Sequence, residues 1–380
     1  MSLKILAVIP ARKGSRGIPN KNIRILNGKP MVCYAISNAL KSNLITDMMQ
    51  LNHISPYFSI VIPCWGAEEY FDEATSSVLK QSFCDLELIL VDDKSPGNIP
   101  TMCDELAQKD VRVKVIHNSE NLNISATQNV GLLAAEGEYI LFLDNDDYLE
   151  PDILQVAHDH IESADRDEKP DIVQCKYNLL LNGTVKPRKY KLSDKYAVDE
   201  PSHWLTAVLG WRMSSKLPTA CAGKFIRRQM LLENQIFFNS RYDSFQDFDF
   251  TMRAYFNAKR VSVLDRISFV HRSSRSGSVA TSLSLQSSIN RLNMWVDWIE
   301  YTASLSDVPF RTKLAFMFHL GSQINNTKRR ARESLSEQEL KLFQKVTRRG
   351  PLINTLSVLG AIKSKLYAVM RKVTRGFRKS

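Results

Sequence analysis

The sequence predicts an α/β fold built on a mostly parallel sheet, and three observations carry that expectation. Apolar runs of strand length recur as "FSIVIP", "LELILVDD", "VRVKVIHN" and "EYILFLDNDD". Stretches with a helical pattern separate them at Glu68–Gln81, Ile99–Lys109 and Ser125–Ala135. The strand runs lead into polar or acidic residues. Strands that alternate with helices imply crossover connections and therefore parallel pairing. In open sheets of this kind ligands lie in the loops beyond the carboxyl ends of the strands. The polar strand ends are thus where a site is expected.

The flanking segments differ from this core. Residues 1–48 hold a strand at Ile5–Ile9, a basic loop and a helix-like stretch at Met31–Ser42, and residues 49–57 read as a linker. Residues 58–300 form the main domain. Its second half, from 166, mixes the short strands "DIVQCKY", "RVSVL" and "ISFVHR" with helices and carries Trp204, Trp211, Trp295 and Trp298. Residues 311–380 form a basic helical tail. Within it Leu352, Leu356, Leu359, Ile362, Leu366, Val369 and Val373 recur at steps of three or four, one apolar stripe. Lys363, Lys365, Arg371, Lys372 and Arg375 crowd the other faces. Such a helix can lie on an anionic membrane surface. The alternative is a helix docked on its own domain with a solvated basic face.

Composition narrows the class. No apolar run has transmembrane length. The first apolar stretch, Ile5–Pro10, is too short for a secretory core and leads into a basic loop. Six cysteines without CxxC spacing read as reduced cytosolic thiols, neither a disulfide frame nor a zinc site, and the sequon at Asn182 then reads as chance. The expected location is cytoplasmic, peripheral on the inner face of the cytoplasmic membrane. The net charge of +11 is uneven: residues 1–48 carry +7 and residues 311–380 carry +14, so residues 49–310 carry −10. Nucleic-acid binders present a basic stripe on the folded surface. An acidic centre between basic ends excludes that class, and no nucleic-acid partner is expected.

"FLDNDDYLEPD" is the stretch that points to chemistry. A buried strand delivers Asp144, Asp146 and Asp147 at its end. Carboxylates that close repel one another unless a cation or ligand offsets them. Hard divalent cations, Mg²⁺ or Mn²⁺, take oxygen ligands and bridge carboxylates to phosphates. Asp-x-Asp alone is common in acidic turns; at the end of a buried strand it is far more specific. Asp92 and Asp93 in "LILVDDKS" end a second strand, where a carboxylate can accept bonds from a base or from ribose hydroxyls. The structural alternative is a helix cap or loop acid.

Together these stretches resemble family 2 glycosyltransferases. The resemblance runs from about Phe58 to Ala280 through "VIPCWGAEEYFDEATSSVLKQSF", "LELILVDDKS", "NLNISATQNVGLLAAEGEYILFLDNDDYLEPD", "GKFIRRQMLLENQIFF" and "FQDFDFTMRAYFNAKRV". It implies the GT-A nucleotide-diphospho-sugar transferase fold, a Rossmann-like, mostly parallel sheet. It implies inverting, metal-dependent transfer from a nucleotide-diphosphate sugar to a glycan or lipid-linked acceptor in bacterial surface polysaccharide synthesis. By the same resemblance Pro63, Glu68, Asp92 and Asp93 line the nucleotide pocket. Asp144 takes the sugar–ribose side and Asp146 the metal–diphosphate side. Asp247 in "FQDFDF" takes the place of the general base. His271 and Arg272 in "FVHRSSRSGS" match a place near the diphosphate; a lone strand-end His is also often structural. The chain departs from the pattern at Gly66, where Asn is usual, in "DDKSPGNIP", at Gln128, where Arg is common, and at Gln246, where Glu precedes the base.

A second resemblance covers Met1–Asp47. "IPARKGSRGIPNKNIRILNGKP" is similar to the start of CMP-sialic acid synthetases, the acylneuraminate cytidylyltransferases. Gly14 and Gly17 suit a backbone wrapped on a triphosphate, and Arg12, Arg16 and Lys21 suit its charge. The match then stops, and a complete glycosyltransferase start follows. A lone strand and helix cannot bury a core of their own, so residues 1–48 read as a fusion remnant. CMP-sialic acid synthesis is one alternative function. The other is a non-catalytic nucleotide-sugar-binding protein, which draws on Gly66, Gln128 and Gln246.

Overall fold

The structure, a computed structural model, describes residues 25–26, 29–30, 55–165, 168–187, 220–242, 245–273, 284–304 and 310–348. A nine-stranded sheet organises the domain. Its first strands are Phe58–Cys64 (β1), Leu86–Asp92 (β2), Val113–His117 (β3) and Tyr139–Phe142 (β4). All seven residues of β1 and of β2 are buried, as unbroken apolar runs with layers on both faces require. The helices Glu68–Leu79 (α1), Ile99–Lys109 (α2) and Asn123–Ala134 (α3) connect them. The ladders β3–β2–β1–β4 are all parallel.

Beyond β4 the sheet turns mixed. After Tyr148–Leu149 (β5) and the helix Ile153–Glu162 (α4) come Ile172–Leu181 (β6), Thr184–Pro187 (β7) and Lys224–Arg227 (β8). The helices Arg228–Glu233 (α5) and Gln246–Asn257 (α6) precede Val261–Arg272 (β9). The sheet order is β3-β2-β1-β4-β8-β6-β9-β5, with β7 paired to β6. Strand β8 is antiparallel to both neighbours, while β6 and β9 run parallel to each other. The direction flips twice, so the carboxyl end of β9 returns to the edge where β1, β2 and β4 end.

Period-two alternation splits the core between the faces. Phe58, Ile60, Ile62 and Cys64 face one apolar cluster with Leu88, Leu90 and Leu141. Val61, Ile89, Val91, Ile140 and Phe142 face the other. Helix α3 lies close on β1: a Cβ at Gly131 would stand 2.3 Å from Val61 Cγ1. Glycine there is a packing requirement.

Several sequence expectations change on inspection. "RVSVL" and "ISFVHR" are one strand, β9, with register shifts between Val263 and Ile267 and between Ile267 and Phe269. The polar Asp265–Arg266 breaks the apolar pattern at that irregularity, so one bulged strand reads as two. The described part of the basic tail, Phe310–Ser334 (α8) and Glu337–Arg348 (α9), is no separate appendage. It packs on Leu285–Ser304 (α7), and Leu320, Ile324, Ala331 and Phe343 join Trp295 and Trp298 in one cluster. Cys64, Cys103, Cys175 and Cys221 are free and buried, but Cys84 is disulfide-bonded, so the expectation of six thiols fails there. Cys84 follows the end of α1 in a half-buried loop, a place that the sequence spacing does not mark.

No helix among the described residues is long and apolar enough to cross a membrane. The stripe from Leu352 to Val373, the membrane-surface expectation attached to it, Trp204 and Trp211 lie outside the described residues. So do Arg12 and Lys21; within residues 1–48 the structure describes Ile25–Leu26 paired antiparallel with Lys29–Pro30.

Candidate active site

Five chain segments meet at the carboxyl edge of the sheet. Pro63 is buried near the end of β1, in register with Val91 of β2. Behind it Gly66 donates its N–H to Ser95 Oγ at 2.7 Å, and its carbonyl accepts from Asn145 Nδ2 at 2.8 Å. Glu68, exposed at the start of α1, accepts from Asn98 N–H at 2.7 Å. A Cβ on Gly97 (φ +76°) would collide with that carboxylate, 2.1 Å from Oε1. Glu68 therefore pins the altered loop that follows Asp93.

The two acids that end β2 have different tasks. Asp92 accepts from Ser95 N–H at 2.8 Å through Oδ1 and meets His117 Nδ1 at 2.9 Å through Oδ2. Both of its oxygens are committed, and the His117 ring pairs onward with Asp104 at 3.1 Å. Asp93 accepts from Asn118 Nδ2 at 2.9 Å and Leu122 N–H at 2.8 Å, both through Oδ1. Its Oδ2 has no hydrogen-bond partner among the described residues. Of the pair, Asp93 can receive a ligand.

Asp144, Asp146 and Asp147 follow β4, as the motif predicts. Asp147 is buried; its Oδ2 meets His271 Nδ1 at 3.0 Å and its Oδ1 accepts from Arg272 N–H at 2.8 Å. Arg272 Nε donates to the Asp146 carbonyl at 3.0 Å. The guanidinium lies 4.0 Å from the Tyr70 ring centroid and pairs with Glu73. The end of β9 thus clamps the acidic turn, a role that sequence reasoning did not assign to His271 and Arg272. Asp144 and Asp146 remain partly exposed.

Charge crowding marks the site. Burial pushes the Asp144 carboxyl well up, and the charges of Asp147, Asp247 and Asp146 add to it, against His271. Asp147 is also raised, chiefly by burial, with His271 opposing. His271 is pushed up to about 9, mainly by its bond to Asp147. Asp144, Asp146 and Asp147 thus lie close enough together for the charge of Asp146 to raise the pKa of both its neighbours. Among the described residues no group of three His, Cys, Asp or Glu side chains gathers as a ready metal cage.

Asp247 sits in the first turn of α6, where a helix N-terminus favours a carboxylate. Burial raises its pKa, while the Cys221 hydrogen bond and the charges of Lys224 and His271 oppose. Cys221 Sγ donates to Asp247 Oδ1 at 3.1 Å. Asp249, two residues on, turns inward to Trp298 Nε1 at 2.9 Å and to Arg253. The partly exposed acid of "FQDFDF" is therefore Asp247. Beneath it lies Lys224, 1% exposed, which donates to the Ala220 carbonyl and has its pKa pushed down to about 8 by burial. Sequence reasoning missed Cys221 and Lys224. The one available signal was a lysine inside the otherwise apolar run "CAGKFI".

Comparison with known proteins agrees with this architecture. Residues 59–255 match glycosyl transferase family 2, and residues 6–50 match a cytidylyltransferase family. The uncharacterized glycosyltransferase EpsJ of Bacillus subtilis is 29% identical over 227 residues, covering 57% of this chain and 61% of its own length. The poly(ribitol-phosphate) beta-N-acetylglucosaminyltransferase TarS of Staphylococcus aureus is 29% identical over 223 residues, covering 58% of this chain and 36% of its own length. The chain thus spans less than two thirds of these relatives. The crystal structure of S. aureus TarS 1–349 in complex with UDP-GlcNAc superposes with a TM-score of 0.53 at 21% identity, covering 80% of this chain and 88% of that one, which establishes the shared fold. With more than half of its residues matched, this chain belongs to glycosyl transferase family 2.

Proposed function

We propose that this protein is an inverting glycosyltransferase. It moves a sugar from a nucleotide-diphosphate sugar to a glycan or lipid-linked acceptor in bacterial surface polysaccharide synthesis. The observation that carries the reading is the electrostatic contact of Asp144 with Asp146, Asp147 and Asp247 at one sheet edge. Donor-side acids and the acid of α6 thereby share one site. TarS, whose name describes N-acetylglucosaminyl transfer to poly(ribitol-phosphate) and which was crystallised with UDP-GlcNAc, supports the substrate class.

In this reading Asp93 Oδ2 accepts from the base or ribose of the donor, and Asp144 faces the sugar–ribose side. Asp247 takes the proton of the acceptor hydroxyl. That oxygen bonds to the anomeric carbon as the bond to the diphosphate oxygen breaks and its electron pair leaves with the nucleotide. Attack and departure lie on opposite faces, so the configuration inverts. A raised carboxyl pKa suits the task, because a base works best when its pKa approaches the working pH. Asp146 is the residue that would hold a divalent cation, Mg²⁺ or Mn²⁺, whose charge would offset that developing on the leaving diphosphate.

The test is nucleotide release from a panel of UDP- and GDP-sugars with Mg²⁺ or Mn²⁺, with and without EDTA. The expected outcome is cation-dependent turnover. Asp247→Ala should lower it roughly 10²–10⁴-fold, the usual contribution of a general base, and Asp146→Ala should abolish the cation dependence. A protein that binds a donor but never cleaves it would be the non-catalytic alternative. Formation of CMP-sialic acid from CTP would instead favour the cytidylyltransferase.

A further inference from the structure

We propose that Cys221, backed by Gln128, is a positioning residue that holds the Asp247 carboxylate in its reactive orientation. The proposal rests on the reading of Asp247 as the base. Three observations carry it. Cys221 is 3% exposed, and its thiol donates to Asp247 Oδ1 at 3.1 Å, which leaves Oδ2 for a substrate proton. Gln128, 1% exposed on α3, donates through Nε2 to Cys221 Sγ at 3.8 Å. That is the amide's one hydrogen bond among the described residues, since its Oε1 is buried without a partner. A buried amide with an orphaned oxygen is costly, and such groups persist where they have a task. Here the task is to fix the thiol.

The chemistry favours a thiol at this place. A strong cationic donor bonded to the base would stabilise its charged form and weaken it as a proton acceptor. A thiol is a weak donor, so it orients the carboxylate and leaves most of its basicity. Burial and the nearby charges of Asp247 and Asp144 push the Cys221 pKa up, so the sulfur keeps its proton. Lys224 supplies positive charge from beneath and is held to the Ala220 carbonyl. The titratable groups that face Asp247 are thus Cys221, Lys224, Asp144 and His271. In this chain the amide–thiol pair of Gln128 and Cys221 thus lies directly beside Asp247.

The experiment compares Cys221→Ala, Cys221→Ser, Gln128→Leu and Asp247→Asn in the full chain, using the nucleotide sugar that the unaltered protein cleaves fastest. Cys221→Ala should lower kcat about three- to tenfold, the scale of one modest hydrogen bond, with donor KM little changed. The acid limb of its kcat profile should move to higher pH, because the lost donor had favoured the carboxylate. Cys221→Ser, which restores a donor, should recover both. Gln128→Leu should shift kcat in the same direction as Cys221→Ala, by less. In the Asp247→Asn background Cys221→Ala should add nothing. If Asp247→Asn inactivates the protein while Cys221→Ala changes neither kcat nor the acid limb, the positioning role is overturned and the base stands. If Asp247→Asn retains full activity, both fall. Equal losses in Cys221→Ala and Cys221→Ser, with an unmoved pH profile, would mean packing alone and would also overturn the proposal.

Discussion

Asp93 and Asp247 are both carboxylates at the carboxyl edge of one sheet, but they are held by different means. Asp93 is fixed by the Leu122 N–H and the Asn118 amide, groups within thirty residues along the same α/β half. Asp247 is fixed by Cys221, which lies on the segment leading into β8, and is surrounded by Lys224 and the end of β9. The helix that carries it rests on α7, whose Trp298 holds Asp249. The first half of the site is built by local loops on a parallel sheet. The second depends on helices distant in sequence. On the proposed reading, the donor side of such a site can persist while the geometry around Asp247 varies.

The largest test of that contrast is in the helical layer. Phe343→Ala should destabilise the fold by about 3–5 kcal/mol, the usual cost of emptying a buried phenylalanine site. Denaturant unfolding would measure it. An unchanged midpoint would mean that α9 is not part of the core, and the second half would then need no distant support.

The pair at the end of β2 sharpens the comparison from the other side. Asp93→Asn keeps an acceptor for Leu122 but removes the charge, so donor KM should rise about tenfold, the scale of a charge-assisted bond. Asp92→Asn should leave donor KM nearly unchanged and act on stability, because both of its oxygens serve the protein itself. Equal effects on KM would erase the distinction between them.

The smallest expected effect is a pH dependence at the clamp between the halves. His271, raised to about 9 by Asp147, stabilises the fold fully below its unfolded value near 6.5. That contribution is lost as pH rises through about 9, since the folded state binds the extra proton across this window. The unfolding midpoints of the unaltered protein and of His271→Gln should therefore differ most below pH 6.5 and converge above pH 9. A difference that grows with pH would rule out the protonated pair.

Much of this was legible in the sequence because its signals are local. Unbroken apolar runs require strands covered on both faces, and β1, β2 and β4 lie where that pattern puts them, while β3, a partly exposed edge strand, follows the alternation in "VRVKVIHN". The acids that end those strands follow from the same reading, since a strand end brings its next residues to the sheet edge. Where the signal failed, the cause was long range. The bulge in β9 hid one strand as two, because register shifts depend on β6 beside it. Which of Asp92 and Asp93 stays open depended on His117 and Asn118, two residues with no motif.

By itself the sequence determined the family, the order of the first four strands with the helices between them, and the acids at the sheet edge. These depend on periodicity and on the immediate neighbours of each residue. Only the tertiary structure decided that Arg272 and His271 clamp the acidic turn and that Asp249 faces the core. It alone set Cys221 against Asp247 and Lys224 beneath it. The hydrogen bonds among them join residues 26 to 126 positions apart. A hydrogen bond is decided by distance and angle in space, and no spacing rule along one chain supplies either.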